Sequence, residues 1–366
     1  MYIKYLQLLN YRNYKQLLVE LCSNVNVFIG DNAQGKTNIL ESIYYCSFGK
    51  SHRTSKDKEL IKWDENEAFI KLQVIRERLD KKIEIKILKE GKKAININSI
   101  KINKISELMG NCAVVMFSPE DLKIIKESPG NRRRFLDMEL CQLDGRYYYN
   151  LVQYNKVLTE RNITLKGRNV DRAILDIYDE QLSSFAEYII KKRLWYIKKL
   201  NEFGNDIHKE ITEDKENIEF KYICHFKSYD DLKHDLLENL IRNREKDIEK
   251  KMTSVGPHRD DFDIYINGVD TRSFGSQGQQ RTSILTIKFS SLNIIKEVTG
   301  EYPILLLDDV LSELDLKRKR YVLSSINQVQ TIITCTGIED IKSYIDDRAN
   351  IFYVKDGKVQ QDKEGK

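Results

Sequence analysis

Long hydrophobic runs are missing from this sequence of 366 residues. Nowhere do eighteen apolar residues follow one another, and the N-terminal stretch MYIKYLQLLNYRNY has no basic segment followed by a plain apolar one. These two absences argue against a membrane-spanning helix and against a secretory leader. We therefore expect a cytoplasmic protein that has no membrane partner.

Paired cysteines and proline-rich linkers are also absent. The six cysteines show no Cys-x-x-Cys spacing, which argues against a disulfide framework and against a zinc site. With 4 prolines, 17 glycines, 41% hydrophobic and 32% charged residues, the composition is that of globular domains joined by little linker sequence. The length allows two or three such domains, each with its own core.

Neither sign of charge dominates. Lysine and arginine number 61 against 56 aspartates and glutamates, which leaves a net charge of +5. A dedicated DNA-binding domain is usually more basic than this. Any contact with a phosphate backbone must therefore come from local basic patches.

The motif GDNAQGKT, at residues 30–37, has the pattern G-x-x-x-x-G-K-[ST]. It follows a predicted strand at 26–30 and precedes a predicted helix at 36–48, the context that a phosphate-binding loop requires. The backbone N–H groups of such a loop approach phosphate, Lys36 reaches the β and γ phosphates, and Thr37 can bind Mg²⁺. We predict a nucleotide and Mg²⁺ site formed by Gly30, Asp31, Asn32, Ala33, Gln34, Gly35, Lys36, Thr37 and Asn38.

The stretch PILLLDDV, at 303–310, supplies the expected partner of this loop. Its apolar residues predict a buried parallel strand, and open α/β sheets bind ligands at the carboxyl edge where Asp308 and Asp309 stand. Asp308 would then complete the Mg²⁺ site, and Asp309 would orient the attacking water. An Asp-Asp pair after a core strand is common, so the functional interpretation depends on the phosphate loop.

A second glycine-rich stretch, SFGSQGQQRTS at 273–283, begins a predicted helix at 279–298. One interpretation is an ordinary helix N-cap after a polar loop. The other is an anion-binding helix N-terminus formed by Ser276, Gly278 and Gln279. The strand that carries Asp308 follows this helix at once, and no other phosphate is available within the chain to occupy the site. Both facts favour the second interpretation.

Hydrophobic periodicity divides the rest of the chain. Apolar residues alternate between 68 and 102, which predicts an antiparallel sheet of about three strands. Between 131 and 205 the spacing is helical, and it predicts two helices of about thirty residues each with a turn at KGRN. A strand at 218–226 and a helix at 229–251 follow, and the final third returns to alternating strands and helices.

Seven stretches resemble, in order along nearly the whole chain, the RecF recombination protein family. They are LLNYRNY (8–14), GDNAQGKTN (30–38), GKSHRT (49–54), MFSPEDL (116–122), RRRFLD (132–137), GPHRDD (256–261) and SQGQQRT (276–282). In addition, SQGQQ resembles the signature motif of ABC-type ATPases, and SELD at 312–315 resembles their D-loop. The resemblance implies an α/β fold, an ABC- and SMC-type P-loop ATPase head whose mixed sheet has an antiparallel subdomain.

The resemblance also implies a domain order. The head would be formed by residues 1–128 and 251–366, and a short helical arm at 129–250 would be inserted between them. The first part carries the phosphate loop, and the last part carries the signature, the carboxylates and the D-loop.

In heads of this type, the signature of one subunit covers the γ-phosphate held by the phosphate loop of another. The resemblance therefore implies an ATP-dependent homodimer in which Ser276, Gln277, Gly278 and Gln279 act on the partner's nucleotide, and it assigns Ser312 and Asp315 to the D-loop. Arg12 and Asn13 resemble positions that contact the nucleotide, although an arginine in a surface loop is often only solvated.

The family further implies ATP-controlled binding of single- and double-stranded DNA at gaps or junctions. It implies cooperation with RecO and RecR in loading the RecA recombinase, with slow ATP hydrolysis releasing the dimer. The DNA candidates are Lys50 and Arg53 together with the triplet Arg132, Arg133 and Arg134. Phosphate binding needs clustered cations on one face. In a basic triplet, however, one residue is commonly salt-bridged and one solvated.

Two positions depart from the ABC pattern. Asp309 stands where many ABC proteins have glutamate, and the strand TIITCTG has Thr334 or Thr336 near the place where transport-type ABC ATPases carry a switch histidine. Two other functions stay open on the residues alone. A metabolic P-loop NTPase would need a substrate lid and an acceptor pocket, and an SMC-like clamp would need a longer arm.

Overall fold

The structure is a computed structural model that describes residues 1–224, 231–337, 342 and 348–362. The chain forms two compact units: Met1–Asp121 with Leu285–Lys366, and Leu122–Ile284. The sequence-based division assigned residues 251–284 to the head. In the structure they belong to the second unit, because the strand Asp261–Ile266 pairs with Ile218–Ile223 of the arm.

The described elements follow one another in groups of strands and groups of helices. In chain order the strands are β1 Tyr2–Tyr11, β2 Tyr14–Glu20, β3 Val25–Ile29, β4 Glu67–Ile75, β5 Lys81–Leu88, β6 Lys93–Ile97, β7 Ile100–Ile102, β8 Val114–Phe117, β9 Ile218–Ile223, β10 Asp261–Ile266, β11 Val269–Asp270, β12 Ile304–Asp308, β13 Thr331–Cys335, β14 Asn350–Lys355 and β15 Lys358–Gln361. The helices are α1 Lys36–Phe48, α2 Lys123–Lys126, α3 Pro129–Leu143, α4 Gly145–Leu165, α5 Arg172–Thr212, α6 Leu232–Arg242, α7 Arg244–Lys250, α8 Thr271–Phe274, α9 Gln277–Thr299 and α10 Leu316–Ser325.

One sheet of the first unit is antiparallel, with the strand order β2-β1-β4-β5-β6-β7. Alternate residues of β4, from Ala68 to Val74, are buried, because successive side chains of a strand point to opposite faces. The alternation at 68–102 therefore predicted the type of structure correctly. It gave too few strands, since β4 to β7 cover this segment and continue into β1 and β2.

The other sheet of the first unit has the order β15-β14-β3-β13-β12-β8 and is parallel except for β15. Every residue of β3, β12 and β13 is buried, as expected for strands that are covered on both faces. β13 lies between β3, which leads into the phosphate loop, and β12, which ends at Asp308. The carboxyl ends of these three strands meet at one edge of the sheet.

The second unit is mainly helical. The structure divides the segment at 131–205 into α3, α4 and α5, the last of 41 residues. Asp144 separates α3 from α4, because its extended backbone ends one helix while its side chain accepts hydrogen bonds from the first N–H groups of the next. The predicted strand at 218–226 ends at Ile223, and residues 225–230, which include parts of that strand and of the predicted helix at 229–251, lie outside the described residues.

A buried ionic cluster joins three helices of the second unit. Arg161 of α4 is fully buried; its Nε donates to Asp179 of α5 at 2.7 Å, and its Nη1 donates to Asp247 of α7 at 2.8 Å. Asp179 also accepts a hydrogen bond from Arg244 at 2.6 Å. No local sequence pattern indicates this cluster, since Asp179 and Asp247 are 18 and 86 positions away from Arg161.

The described residues contain no helix that is both long and apolar enough to cross a lipid bilayer.

The ionic cluster predicts an uneven dependence on two aspartates of α5. Asp179→Ala should lower the free energy of unfolding by about 3–5 kcal/mol, because it removes one of the two carboxylates that bind the fully buried guanidinium of Arg161. Asp176 binds the same Arg244 nitrogen at 2.7 Å but its side chain is 65% exposed, so Asp176→Ala should cost less than about 1 kcal/mol. Urea denaturation followed by circular dichroism measures both, and equal losses would contradict the prediction.

Candidate nucleotide-binding site

The predicted phosphate loop connects β3 to α1. Gly30 lies so close to β14 that a Cβ there would stand 2.2 Å from the carbonyl oxygen of Val354. Gly35 has φ +113° and is the N-cap of α1. Because glycine has no side chain to accept from the N–H groups of the first turn, this helix end can receive an anion.

Lys36 is the first residue of α1 and lies against the loop. It is 7% exposed, and its Nζ donates to the carbonyl oxygens of Gly30 at 2.5 Å and Asp31 at 2.8 Å. The ammonium group is therefore held over the loop by two neutral acceptors, which a phosphate could replace with a stronger charged partner.

The turn between β1 and β2 and the first residue of β2 make hydrogen bonds to the loop. Asn13 donates its side-chain N–H to the carbonyl of Gln34 at 2.8 Å and accepts from Asn38 at 2.9 Å. Tyr14 donates its hydroxyl to the carbonyl of Gly35 at 3.0 Å. Asn13, which the sequence analysis had proposed as a nucleotide contact, is thus hydrogen-bonded to the loop itself.

Arg12 makes a two-pronged ion pair with a buried carboxylate. Its Nε and Nη2 donate to the two oxygens of Glu41 at 2.8 and 2.7 Å, and Ser51 donates to the same carboxylate at 2.6 Å. Burial by itself would raise the pKa of Glu41, but the hydrogen bonds from Arg12 and Ser51 hold that pKa below its ordinary value. Glu41 was not identified from the sequence; the available signal was the single carboxylate of helix α1, next to Ile39 and Leu40.

The carboxylates at 308 and 309 stand at the carboxyl end of β12. Asp308 is 7% exposed, and its Oδ1 accepts hydrogen bonds from the hydroxyls of Thr37 and Thr334, each at 2.9 Å. Asp309 has a left-handed backbone, with φ 53°, and its N–H donates to the hydroxyl of Thr334 at 3.0 Å. The structure therefore brings together Thr37 and Asp308, which are 271 positions apart in the sequence.

The hydroxyl oxygen of Thr37 and the carboxylate of Asp308 fit a magnesium ion. A hydroxyl and a carboxylate are hard oxygen ligands, and Mg²⁺ is usually held by one or two such groups, with phosphate and water completing its shell. Within the described ranges no cluster of three or more His, Cys, Asp or Glu residues could hold a metal by itself. The geometry therefore suits a metal that arrives with a nucleotide and does not suit a metal cage formed by the protein alone.

The D-loop candidates adjoin Asp309. Ser312, in the 3₁₀ turn Val310–Glu313, donates its hydroxyl to the carbonyl of Asp309 at 2.8 Å. Asp315 is the N-cap of α10, where its side chain accepts from the N–H of Arg318 at 2.9 Å. Ser312 thus contacts the carboxylate segment, and Asp315 begins the following helix.

The signature candidates form a capping box at the start of α9. The N–H of Ser276 donates to the side-chain oxygen of Gln279 at 2.9 Å, and the N–H of Gln279 donates to the hydroxyl of Ser276 at 3.2 Å. The side chain of Gln279 also donates to Glu216 at 2.9 Å. The helix start that the sequence predicted is present, with the Ser276 hydroxyl at its end.

The basic triplet separates into three environments. Arg132 is 2% exposed and makes two hydrogen bonds to Asp261, at 2.6 and 2.8 Å, so it is not available to a DNA phosphate in this structure. Arg133 is half-buried and donates to the carbonyl of Asp260 at 2.8 Å. Arg134 is exposed. The mixed roles expected of such a triplet are therefore observed, because only one face of α3 meets solvent.

Lys50 and Arg53 follow α1 and are both exposed. Arg53 donates to the side-chain oxygen of Asn38 at 3.0 Å and lies 3.8 Å from the carboxylate of Glu41. Arg53 is thus a neighbour of the phosphate loop.

The chain is similar to known proteins along nearly its whole length. The family model described as the RecF/RecN/SMC N terminal domain matches residues 2–360. Among curated relatives, a DNA replication and repair protein RecF of Clostridium perfringens is 65% identical over 360 residues, covering 98% of this chain and 100% of the relative. The RecF of Clostridium kluyveri is 64% identical over 365 residues, covering 99% and 100%.

Solved structures agree. A structure described as the recombination mediator protein RecF-ATPrS in the RecFOR pathway has a TM-score of 0.91 and 39% identity, with 98% of each chain covered. The Smc head domain of Pyrococcus furiosus, at 16% identity and a TM-score of 0.57 over 99% of this chain and 96% of that one, shares the fold. The predicted head fold and the family resemblance are both confirmed.

With a family model along nearly the whole chain and relatives above 60% identity from end to end, the chain belongs to the RecF family of DNA replication and repair proteins, within the SMC-type ATPases.

Proposed function

We propose that this chain binds DNA under the control of ATP during recombinational repair, and that its working form is a homodimer with two nucleotides between the subunits. The observation that carries the proposal is the contact of Thr37 with Asp308 beside a phosphate loop whose helix end can receive an anion. Support comes from a solved RecF-ATP structure that is 39% identical over 98% of this chain, with a TM-score of 0.88.

The residues of the site divide the work on the nucleotide. Lys36, now on the carbonyls of Gly30 and Asp31, turns to the β and γ phosphates when they arrive. Mg²⁺ held by Thr37 and Asp308 would neutralise charge that develops on the phosphates. Asp309 orients the attacking water and accepts its proton. Since an aspartate is shorter than the glutamate of many ABC proteins, we expect slow turnover, which suits a switch.

The in-trans motifs support a dimer. Phe274, two residues before Ser276, is 77% exposed, and Leu316, directly after Asp315, is 73% exposed. A large apolar side chain in water is disfavoured, and contact with a second protein removes it from water. We propose that a second copy of the chain covers Phe274 when its phosphate loop meets the signature. Loss of the γ-phosphate then removes the bridge and releases the pair.

The DNA surface is proposed to include Lys50, Arg53 and Arg134. All three are exposed, whereas Arg132 is bonded to Asp261 and maintains the local structure. Arg53 contacts Asn38 next to the phosphate loop, so nucleotide binding can influence this segment directly. We further propose cooperation with RecO and RecR in loading RecA, because a close solved relative is described as a recombination mediator of the RecFOR pathway.

Lys36→Ala is expected to weaken ATP binding by about 10- to 100-fold, since it removes a charged hydrogen bond of about 1.5–3 kcal/mol. Lys15→Ala, which removes an exposed lysine of β2, is the matched control and should bind as the unchanged protein does. Fluorescent nucleotide titration measures both. Unaltered affinity in Lys36→Ala would refute the phosphate-loop assignment.

Ser276→Arg should leave nucleotide affinity within about threefold, a change of less than one kcal/mol, while it prevents ATP-induced dimers. The reason is steric, because the long cation enters the space where the partner's γ-phosphate lies. Ser184→Arg, on an exposed position of α5, controls for the substitution itself. Analytical ultracentrifugation with ATP and Mg²⁺ distinguishes them, and dimers formed equally by both variants would exclude the sandwich arrangement.

Arg134→Ala should weaken DNA binding equally for all sequences and reduce the slope of log affinity against log salt by about one, as expected for one lost phosphate contact. Arg168→Ala, an exposed arginine of the turn between α4 and α5, should leave the slope unchanged. Fluorescence anisotropy across a salt series gives both slopes. Identical slopes would remove Arg134 from the DNA surface.

A further inference from the structure

Thr334 occupies a central position in the parallel sheet. It lies on β13, between the strand that leads to the phosphate loop and the strand that ends in Asp308. It is 1% exposed, whereas Thr336, the other threonine near the expected switch position, is exposed. The sequence could not choose between the two threonines, and the register pairs Thr334 directly with Asp308.

The hydroxyl of Thr334 serves two consecutive carboxylate residues. It donates to Oδ1 of Asp308 at 2.9 Å and accepts from the N–H of Asp309 at 3.0 Å. A hydroxyl has one hydrogen to donate and can accept two, so both bonds form at the same time. The carbonyl of Leu307, at 3.4 Å, is a poorer acceptor for that single hydrogen than the charged carboxylate.

Asp309 needs this support because of its backbone. Its φ of 53° lies in the left-handed region, which residues other than glycine rarely adopt. Thr334 binds its N–H from one side, and the hydroxyl of Ser312 binds its carbonyl at 2.8 Å from the other. Two hydroxyls therefore hold the peptide groups on both sides of the Asp309 side chain.

Asp308 is held in the same way. Thr37 donates to the same oxygen, Oδ1, at 2.9 Å, so hydroxyls from the start of α1 and from β13 converge on one atom. Carboxylates that receive hydrogen bonds from rigid elements lose rotational freedom and keep one orientation. Thr334 therefore connects the carboxylate of Asp308 to the backbone N–H of Asp309.

We infer that Thr334 is a positioning residue for ATP hydrolysis, which orients the carboxylate of Asp308 and fixes the backbone of Asp309 without itself contacting the nucleotide. The inference rests on the proposed roles of Asp308 and Asp309. It differs from a residue that senses the γ-phosphate, because the hydroxyl of Thr334 bonds the carboxylate of Asp308 and the N–H of Asp309. Its loss should therefore slow the chemical step much more than it weakens nucleotide binding.

The test is Thr334→Val, which keeps the shape of the side chain and removes the hydroxyl. We expect kcat for ATP hydrolysis to fall by about 10- to 100-fold, the range that a displacement of about 1 Å of a catalytic group causes. The Kd for ATP and ADP should stay within about threefold, since Lys36 and the phosphate loop are unchanged. Steady-state ATPase assays and fluorescent nucleotide titration give the two values.

Thr331→Val is the matched control. Thr331 is on the same strand and is also fully buried, but its hydroxyl bonds the carbonyls of Ile326 and Val329, at 3.2 Å each. This variant loses the same chemical group and should keep the kcat of the unchanged protein. If it lost as much activity as Thr334→Val, the effect would belong to the stability of β13 and the inference would be overturned.

Two conservative variants of Thr334 show whether the loss of kcat comes from the missing hydroxyl or from a change in the local structure. Thr334→Ser keeps both hydrogen bonds and should restore kcat to within a few fold of the unchanged protein. Thr334→Cys keeps the size and has only a weak donor and a weak acceptor, so its kcat should fall between those of Thr334→Ser and Thr334→Val. It also provides the measurement if Thr334→Val does not fold. A serine variant as slow as the valine variant would contradict the role of the hydroxyl.

The outcomes also distinguish this inference from the proposed function. If the unchanged protein neither binds ATP nor hydrolyses it, the proposed function fails. If the unchanged protein hydrolyses ATP and Thr334→Val keeps kcat within about threefold, which is less than one kcal/mol of barrier, only the inference about Thr334 fails.

Discussion

The hydrogen bonds that meet on one oxygen of Asp308 define the face of this molecule that we propose binds the nucleotide. Thr37 reaches this oxygen from the end of the phosphate loop, and Thr334 reaches it from the intervening strand. Their meeting depends on the register of β3, β13 and β12, because a slip of one residue would turn each side chain to the opposite face of its strand. The strands are buried on both faces and rich in aliphatic residues, which gives that register a strong energetic preference.

The phosphate loop depends in turn on the antiparallel sheet. The turn between β1 and β2 carries Arg12, Asn13 and Tyr14 to the back of the loop, where two of them bind loop carbonyls directly. Arg12 adopts φ 52° and places its guanidinium on Glu41, a carboxylate with no exposed surface. The turn between the first two strands of the antiparallel sheet therefore fixes the shape of the candidate phosphate loop, 21 positions later in the sequence.

Two buried arginines maintain the structure of the second unit. Arg132 and Arg161 are both buried, and each binds aspartates of another segment. An arginine that is held in this way cannot be distinguished, in the sequence, from its exposed neighbour Arg134. The difference arises because α3 turns about 100° per residue, so adjacent side chains meet different surroundings. The basic patches of this chain must therefore be judged residue by residue in the folded protein.

Contiguous features were accessible from the sequence alone: the phosphate loop, the apolar strand before Asp308, the helix start at Ser276, and the family that these motifs resemble. Such features are encoded locally, by the periods of helix and strand and by residue types at fixed spacing. Only the tertiary structure decided that Thr334 and not Thr336 donates a hydrogen bond to the carboxylate of Asp308, and that Glu41 binds Arg12. These pairs are 26 and 29 positions apart. Which residues meet over such distances depends on sheet register and packing, which no local pattern specifies.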